Sequence, residues 1–353
     1  MEEAKAFFLE QCARYPKLHP QDLLKALHQS IFGCGHFITD EDAGFKLLQQ
    51  EYEAPGPSVE IELLDGDYCR IPLGYLAHTG LSQETLFRLF ALSADEPAIS
   101  GEVLQRKLDL LLQLADDNLL PFSHTEMADA IAAWQEAGYP LCRHSQEFRN
   151  TYHPTYRVIR KDFLWILPLL TAIDQTMRQK GHAVVAIEGG SASGKSTLAE
   201  LLSRIYDCTV FHMDDFFLRP EQRTPQRFAE PGGNVDRERF LQEVLEPLSL
   251  RNTVKYQRYD CHSQTLQTPV DIVPKALAIV EGAYSMHPSL SSFYDLSAFL
   301  KISPELQRQR ILKRNGPEFA ERFFSTWIPL ESAYFEALDP ASRCNLILEV
   351  PQP

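Results

Sequence analysis

Between Gly189 and Thr197 the chain reads Gly-Gly-Ser-Ala-Ser-Gly-Lys-Ser-Thr, a run of small residues broken by one long side chain, Lys195. Residues this small let backbone N–H groups curl around an anion without Cβ clashes. An apolar run at 183–187 leads in and reads as a strand, while Leu198, Leu201, Leu202 and Ile205 mark an amphipathic helix behind. The N-terminus of that helix adds the positive end of its dipole. Gly189-x-x-x-x-Gly194-Lys195-Ser196 in this setting is the Walker A arrangement. Gly189, Gly190, Ser191, Ala192, Ser193, Gly194, Lys195, Ser196 and Thr197 are therefore expected to hold ATP. Lys195 should reach the β- and γ-phosphates, and the Ser196 hydroxyl should sit on Mg2+.

Holding a nucleotide is not yet a reaction, and further residues bear on the chemistry. Asp214 and Asp215 follow the apolar run at 209–212, where a second strand should end. Ligand-handling groups of open α/β sheets lie at such strand ends. An Asp there could accept the proton of a substrate hydroxyl attacking the γ-phosphorus, or cap a turn. Glu281 ends another apolar run, 276–280, and suits Mg2+ or its water, or a plain turn. Arg308, Arg310, Lys313, Arg314 and Arg322 make a cationic stretch in which Arg310 and Arg314 share a helix face. Such arginines either close over a transferring phosphate or line a solvated surface. The expected catalytic set is Lys195, Asp214, Arg310 and Arg314, with Ser196 and Glu281 for the metal.

Elements that position these groups follow from texture. After a helix expected at 161–179 and stopped by Gly181, apolar runs at 183–187, 209–212, 276–280, 297–302 and 346–350 alternate with helical stretches. That alternation predicts an α/β, P-loop NTPase-type five-stranded parallel sheet flanked by helices, in a domain 161–353. Residues 1–160 read as a mainly helical domain, with apolar periodicity in Leu23, Leu27 and Ile31 and in Leu104, Leu108, Leu111 and Leu112. A strand-like piece at 59–64 ends at Asp65-Gly66-Asp67. Two segments of this half are unusual: Gln29-x-x-Phe32-Gly33-Cys34-Gly35-His36, and 143–157 with His144, Arg149 and Arg157. The glycines would admit a ligand to the backbone and the cations would bind an anion, or both segments serve packing. Cys34 and His36 are too few for zinc.

Composition narrows the class. The chain has 353 residues and a formal net charge of −14, so it should not seek nucleic acid or an anionic membrane. Seven scattered cysteines without a Cys-x-x-Cys pair fit a reducing, cytoplasmic setting. The apolar run 163–170 contains Pro168 and falls well short of the ~20 residues a membrane helix needs.

Taken together, these motifs resemble the uridine kinase family, with its relatives nicotinamide riboside kinase, pantothenate kinase and phosphoribulokinase, over about 183–350. Gly189 to Thr197 is similar to the family loop, and Asp214-Asp215-Phe216-Phe217 to the motif whose first Asp is the catalytic base. Asn234-Val235-Asp236 resembles a stretch whose Asp holds ribose hydroxyls, which implies Asp236 for that role. Tyr259-Asp260 resembles the start of the substrate loop, which implies Tyr259 and the nearby His262 as acceptor contacts. Glu281-Gly282 matches the pair near Mg2+, and 308–314 resembles the arginine lid. Cys261 stands where the family has a base-stacking Phe, Gln264 where it has a His, and Asn315 where it has an Asp. The resemblance implies ATP- and Mg2+-dependent phosphorylation of a small-molecule hydroxyl, with a nucleoside-like acceptor first. A vitamin-type acceptor such as nicotinamide riboside or pantothenate stands beside it. So does an ATP-binding sensor that switches the N-terminal module, and a homo-oligomer stays open.

Overall fold

In the computed structural model, which describes residues 1–33, 40–94 and 101–352, all five apolar runs of the C-terminal half become strands of one parallel sheet. The chain divides into two compact units, Met1–Leu164 and Trp165–Pro353.

Among the described residues of the first unit, eight α-helices accompany a three-stranded antiparallel sheet of β1 (Glu62–Leu63), β2 (Tyr68–Pro72) and β3 (Tyr156–Arg160). Two of its helices bear out the periodicities: α1 (Pro20–Phe32) buries Leu23, Leu27 and Ile31, and α2 (Gly101–Asp116) buries Leu104, Leu108 and Leu111. Of the strand expected at 59–64 only β1 forms, and β2 and β3 are additions. All five residues of β2 are buried, so its sequence shows no alternation by which to find it. Cys34, Gly35 and His36 lie outside the described residues.

His144 and Arg157 serve packing here. His144 Nδ1 lies 2.9 Å from Asp22 Oδ1, its Nε2 lies 2.7 Å from Tyr156 OH, and its ring stacks on Phe148 at 4.1 Å. Burial holds its pKa down at about 4, which keeps the imidazole neutral. Arg157 pairs with Glu51 at 2.6 Å, and Arg149 donates to Gln146.

At the boundary between the units the chain departs from expectation. The helix expected at 161–179 is a 3-10 turn, Lys161–Ile166, followed by α3 (Leu167–Lys180). Pro168 lacks the N–H that a continuous α-helix from Lys161 would bond to Leu164 O, and it stands in the first turn of α3, where no such donor is needed. The strands are β4 (Ala183–Gly189), β5 (Cys208–His212), β6 (Leu277–Glu281), β7 (Leu296–Lys301) and β8 (Leu346–Glu349). They lie in the order β8-β7-β4-β6-β5, with every neighbouring pair parallel. Because β5 and β6 lie on one side of β4 and β7 and β8 on the other, a crevice opens at the carboxyl end of β4. Near-continuous apolar residues make β4 and β6 central: nearly every residue of both is buried. Between β5, β6 and the segments that follow them, Phe211, Phe216, Phe240 and Tyr256 form an aromatic core, with Phe216 stacked on Tyr256 at 5.4 Å.

Among the described residues no helix is long and apolar enough to cross a membrane.

Candidate active site

The loop from Gly189 to Gly194 leaves β4 and enters α4 (Lys195–Ile205), as the sequence led one to expect. Lys195 Nζ donates to Gly190 O at 2.9 Å, so the ammonium lies back over the loop. Backbone N–H groups of Ala192, Gly194, Lys195 and Ser196 take no acceptor from the described residues. Four donors of one loop and helix start are thus left for an anion, and the residues fit a nucleotide phosphate.

Strand register then carries the carboxylates to the loop. β6 pairs with β4 and β5 so that Glu281 stands opposite Ile187 and His212. Glu281 Oε1 accepts from Ser196 Oγ at 3.0 Å, and His212 Nδ1 lies 2.6 Å from the same oxygen. That hydrogen bond is the first cause raising the pKa of His212. No group of three or more His, Cys, Asp or Glu side chains among the described residues is placed to hold a metal. A hydroxyl and one carboxylate suit Mg2+, which keeps waters and takes phosphate oxygens, better than they suit zinc.

Asp214 lies two residues beyond β5, in the short helix Met213–Phe216. Its side chain is exposed, yet enough of the protein surrounds it to disfavour the charged carboxylate. That crowding is the largest cause raising its pKa; Lys195 pulls the other way, and Glu281 raises it further. Lys195, Glu281 and Asp214 therefore share one electrostatic field. Asp215 is drawn aside, within reach of Tyr256 OH at 3.2 Å and Arg258 Nε at 3.4 Å.

The residues carried over for the acceptor and the lid are placed unevenly. Asp236 is buried: it accepts from Arg239 N at the start of a helical turn and from Gln222 Nε2, and lies 3.4 Å from Arg239 Nε. Tyr259 is buried, and its hydroxyl accepts from Arg223 at 2.6 Å. His262 is exposed at the tip of the two-stranded ribbon Tyr259–Asp260 with Thr265–Leu266. Cys261 on that tip feels the charges of both Asp214 and Arg223, which puts the ribbon beside the crevice. In α5 (Pro304–Arg322), Arg310 donates to Ala192 O and Ser193 O at 3.2 and 3.3 Å. Arg314 is exposed, donates to Asn315 and lies over the Phe323 ring.

Three site residues were missed from the sequence. Glu188, the residue before the loop, is fully buried and accepts from Gly189 N, Tyr284 N, Met286 N and Tyr334 OH. Glu331, on α6 (Ile328–Leu338), and Gln307 bind Ser191. A charged residue directly before Gly189 in an otherwise apolar strand was the one visible clue.

No family model matches the chain, and no curated protein matches it. Solved structures similar to it include a candidate uridine kinase from Bacillus stearothermophilus, 22% identical, covering 52% of this chain and 100% of that one at a TM-score of 0.39. A candidate fructose transport system kinase from Silicibacter sp. TM1040 is 23% identical, covering 50% and 97% at a TM-score of 0.41. Shikimate kinase from Acinetobacter baumannii, in complex with shikimate, is 16% identical, covering 50% and 89% at a TM-score of 0.29. Strand order, loop and following helix by themselves make the second unit a P-loop NTPase-type fold.

Proposed function

We propose that the second unit is an ATP-dependent kinase that transfers phosphate to a hydroxyl of a small, nucleoside-like molecule. The observation that carries this reading is the placement of Asp214, two residues beyond β5, whose last residue stands opposite Glu281 on β6, where Lys195 and Glu281 both act on its charge. A nucleotide sensor needs no base there.

Mg-ATP supplies the electrophilic phosphorus and, with ADP, the leaving group. The chain's part is to position and to move one proton. The free N–H groups of Ala192, Gly194, Lys195 and Ser196 and the Lys195 ammonium would take the phosphates, and Ser196 with Glu281 would hold the metal. Asp214 accepts the acceptor's hydroxyl proton as its oxygen attacks, and a raised pKa makes it a stronger base than an ordinary carboxylate. Arg310, which donates to the carbonyls of Ala192 and Ser193, is the cation held against the loop that would neutralise a transferring phosphate.

A panel of nucleosides, vitamin precursors and sugars assayed with ATP identifies the acceptor. With that acceptor, Asp214→Asn should cut kcat by about 10²–10⁴ and leave ATP affinity nearly unchanged. Near-native turnover of the variant would sink the assignment of the base. Tight ATP binding with no acceptor phosphorylated would leave the sensor reading in its place. One observation favours a vitamin-type acceptor over a pyrimidine: the ribbon tip offers Cys261 and His262, both exposed, and no Phe, Tyr or Trp ring to stack on a base.

A further inference from the structure

Ser191 is gripped from outside the loop by groups that the kinase reading does not use. Its N–H donates to Glu331 Oε2 at 2.8 Å and its hydroxyl to Glu331 Oε1 at 2.6 Å, while its carbonyl accepts from Gln307 Nε2 at 2.9 Å. Every polar group of one loop residue is bound from two helices: by Gln307 on α5, ahead of the break within that helix at Gly316, and by Glu331 on α6, beyond it.

Packing alone does not account for Glu331. The side chain is 5% exposed among Phe299, Ile328 and Phe335, and burial raises its pKa. A buried carboxyl is costly unless its hydrogen bonds are good, and these two are. It also borders a cavity of about 240 Å³. Crowding therefore does not force it onto Ser191. The loop is cut to admit it: a Cβ on Gly190 would lie 3.1 Å from Gln307 Nε2 and 3.3 Å from Glu331 Oε2. The loop also needs a hold, because Ala192 sits at φ 59°, a left-handed conformation that a non-glycine residue adopts only under strain.

We propose that Glu331 is a positioning residue for phosphate binding. By fixing Ser191 it keeps the N–H groups that follow converged before a nucleotide arrives. The proposal rests on the nucleotide reading of the loop. Lys195 and Asp214 both act on the Glu331 charge, and the competing mode is one in which that charge simply repels the terminal phosphate. The two modes have opposite signs.

The test is titration of the full chain with Mg-ADP and Mg-ATP, for the wild type, Lys195→Ala, Glu331→Ala, Glu331→Gln, Ser191→Ala and the Ser191→Ala/Glu331→Ala pair. Positioning predicts that Glu331→Ala weakens ADP and ATP alike by about tenfold or more, the worth of a hydrogen bond to a charged group. Glu331→Gln, which keeps the shape and one acceptor, should recover part of the loss. The double variant should be little worse than Glu331→Ala, because both changes remove the same contact. Unchanged affinity in the Glu331 variants, effects that multiply in the pair, or tighter ATP binding by Glu331→Gln would each overturn the proposal. If Glu331→Ala does not fold, Glu331→Gln and Ser191→Ala decide alone. The nucleotide reading itself fails only if the wild type binds neither nucleotide, or Lys195→Ala binds both as well as wild type does.

Discussion

Glu188 shows how much of the site's frame hangs on one side chain. Its two carboxylate oxygens accept from the loop at Gly189, from the segment after β6 at Tyr284 and Met286, and from Tyr334 on α6. Tyr284 reaches its bond from φ 75°, a strained posture for a ring-bearing residue, and its ring rests edge-on against Tyr334 at 4.9 Å. Burial raises the Glu188 pKa from 4.5 to about 7, while its donors and Lys195 pull less strongly the other way. The folded chain then keeps a proton that the unfolded chain has lost between these values. Stability contributed by Glu188 is thus present at low pH and falls as pH rises from 4.5 to 7, by about 3 kcal/mol. Urea unfolding at pH 5 and pH 8 should show a smaller loss in Glu188→Gln than in the wild type. Equal losses in the two proteins would mean that the group does not titrate in that window.

At the scale of elements, the site exists because β5 and β6 end side by side. Gly282 makes that approach possible: it sits at φ 145°, and a Cβ there would lie 2.5 Å from Met213 Cβ. Met213 immediately precedes Asp214, so a methyl group at 282 pushes on the very turn that carries the base. Gly282→Ala is expected to cost roughly 2 kcal/mol or more through overpacking and backbone strain. Acceptor turnover should fall more steeply than ATP affinity, since the phosphate loop lies on β4. Thermal melts together with a KM and kcat comparison would check this. Loss of ATP binding equal to loss of turnover would count against the local reading.

At the scale of the whole chain, every group assigned to phosphate transfer belongs to the second unit, Trp165–Pro353. A fragment starting at about residue 160, ahead of the Lys161–Ile166 turn, should fold and be stabilised by Mg-ATP, since a ligand specific to the folded state raises its melting temperature by mass action. Lys195→Ala in the same fragment should abolish most of that shift. A folded fragment without any shift would show that the first unit completes the nucleotide site. The first unit carries a polar core of its own, in which Arg70 is 2% exposed and is bound by Glu62, Gln29 and Gln11. Its charges are matched within the unit, and they act as structure.

Local chemistry made the second unit readable in advance. The five strands are runs of apolar residues, and a phosphate loop must be small-residued wherever it occurs, so Gly189 to Thr197 announce themselves in one dimension. Asp214 and Glu281 could be placed because strand ends are where a parallel sheet presents its ligands. The first unit was less legible: β2 is buried on both faces and shows no alternation, and β3 pairs with it across more than eighty residues of chain. The same separation hides Glu188, Glu331 and Gln307, whose partners lie 96, 140 and 116 positions away. A carboxylate on a helix looks like any solvated charge until folding puts a loop against it. Spacing along the chain records which residues share an element; only packing in three dimensions brings Glu331 to Ser191, because the contact is set by how helices seat on a sheet and leaves no periodic trace.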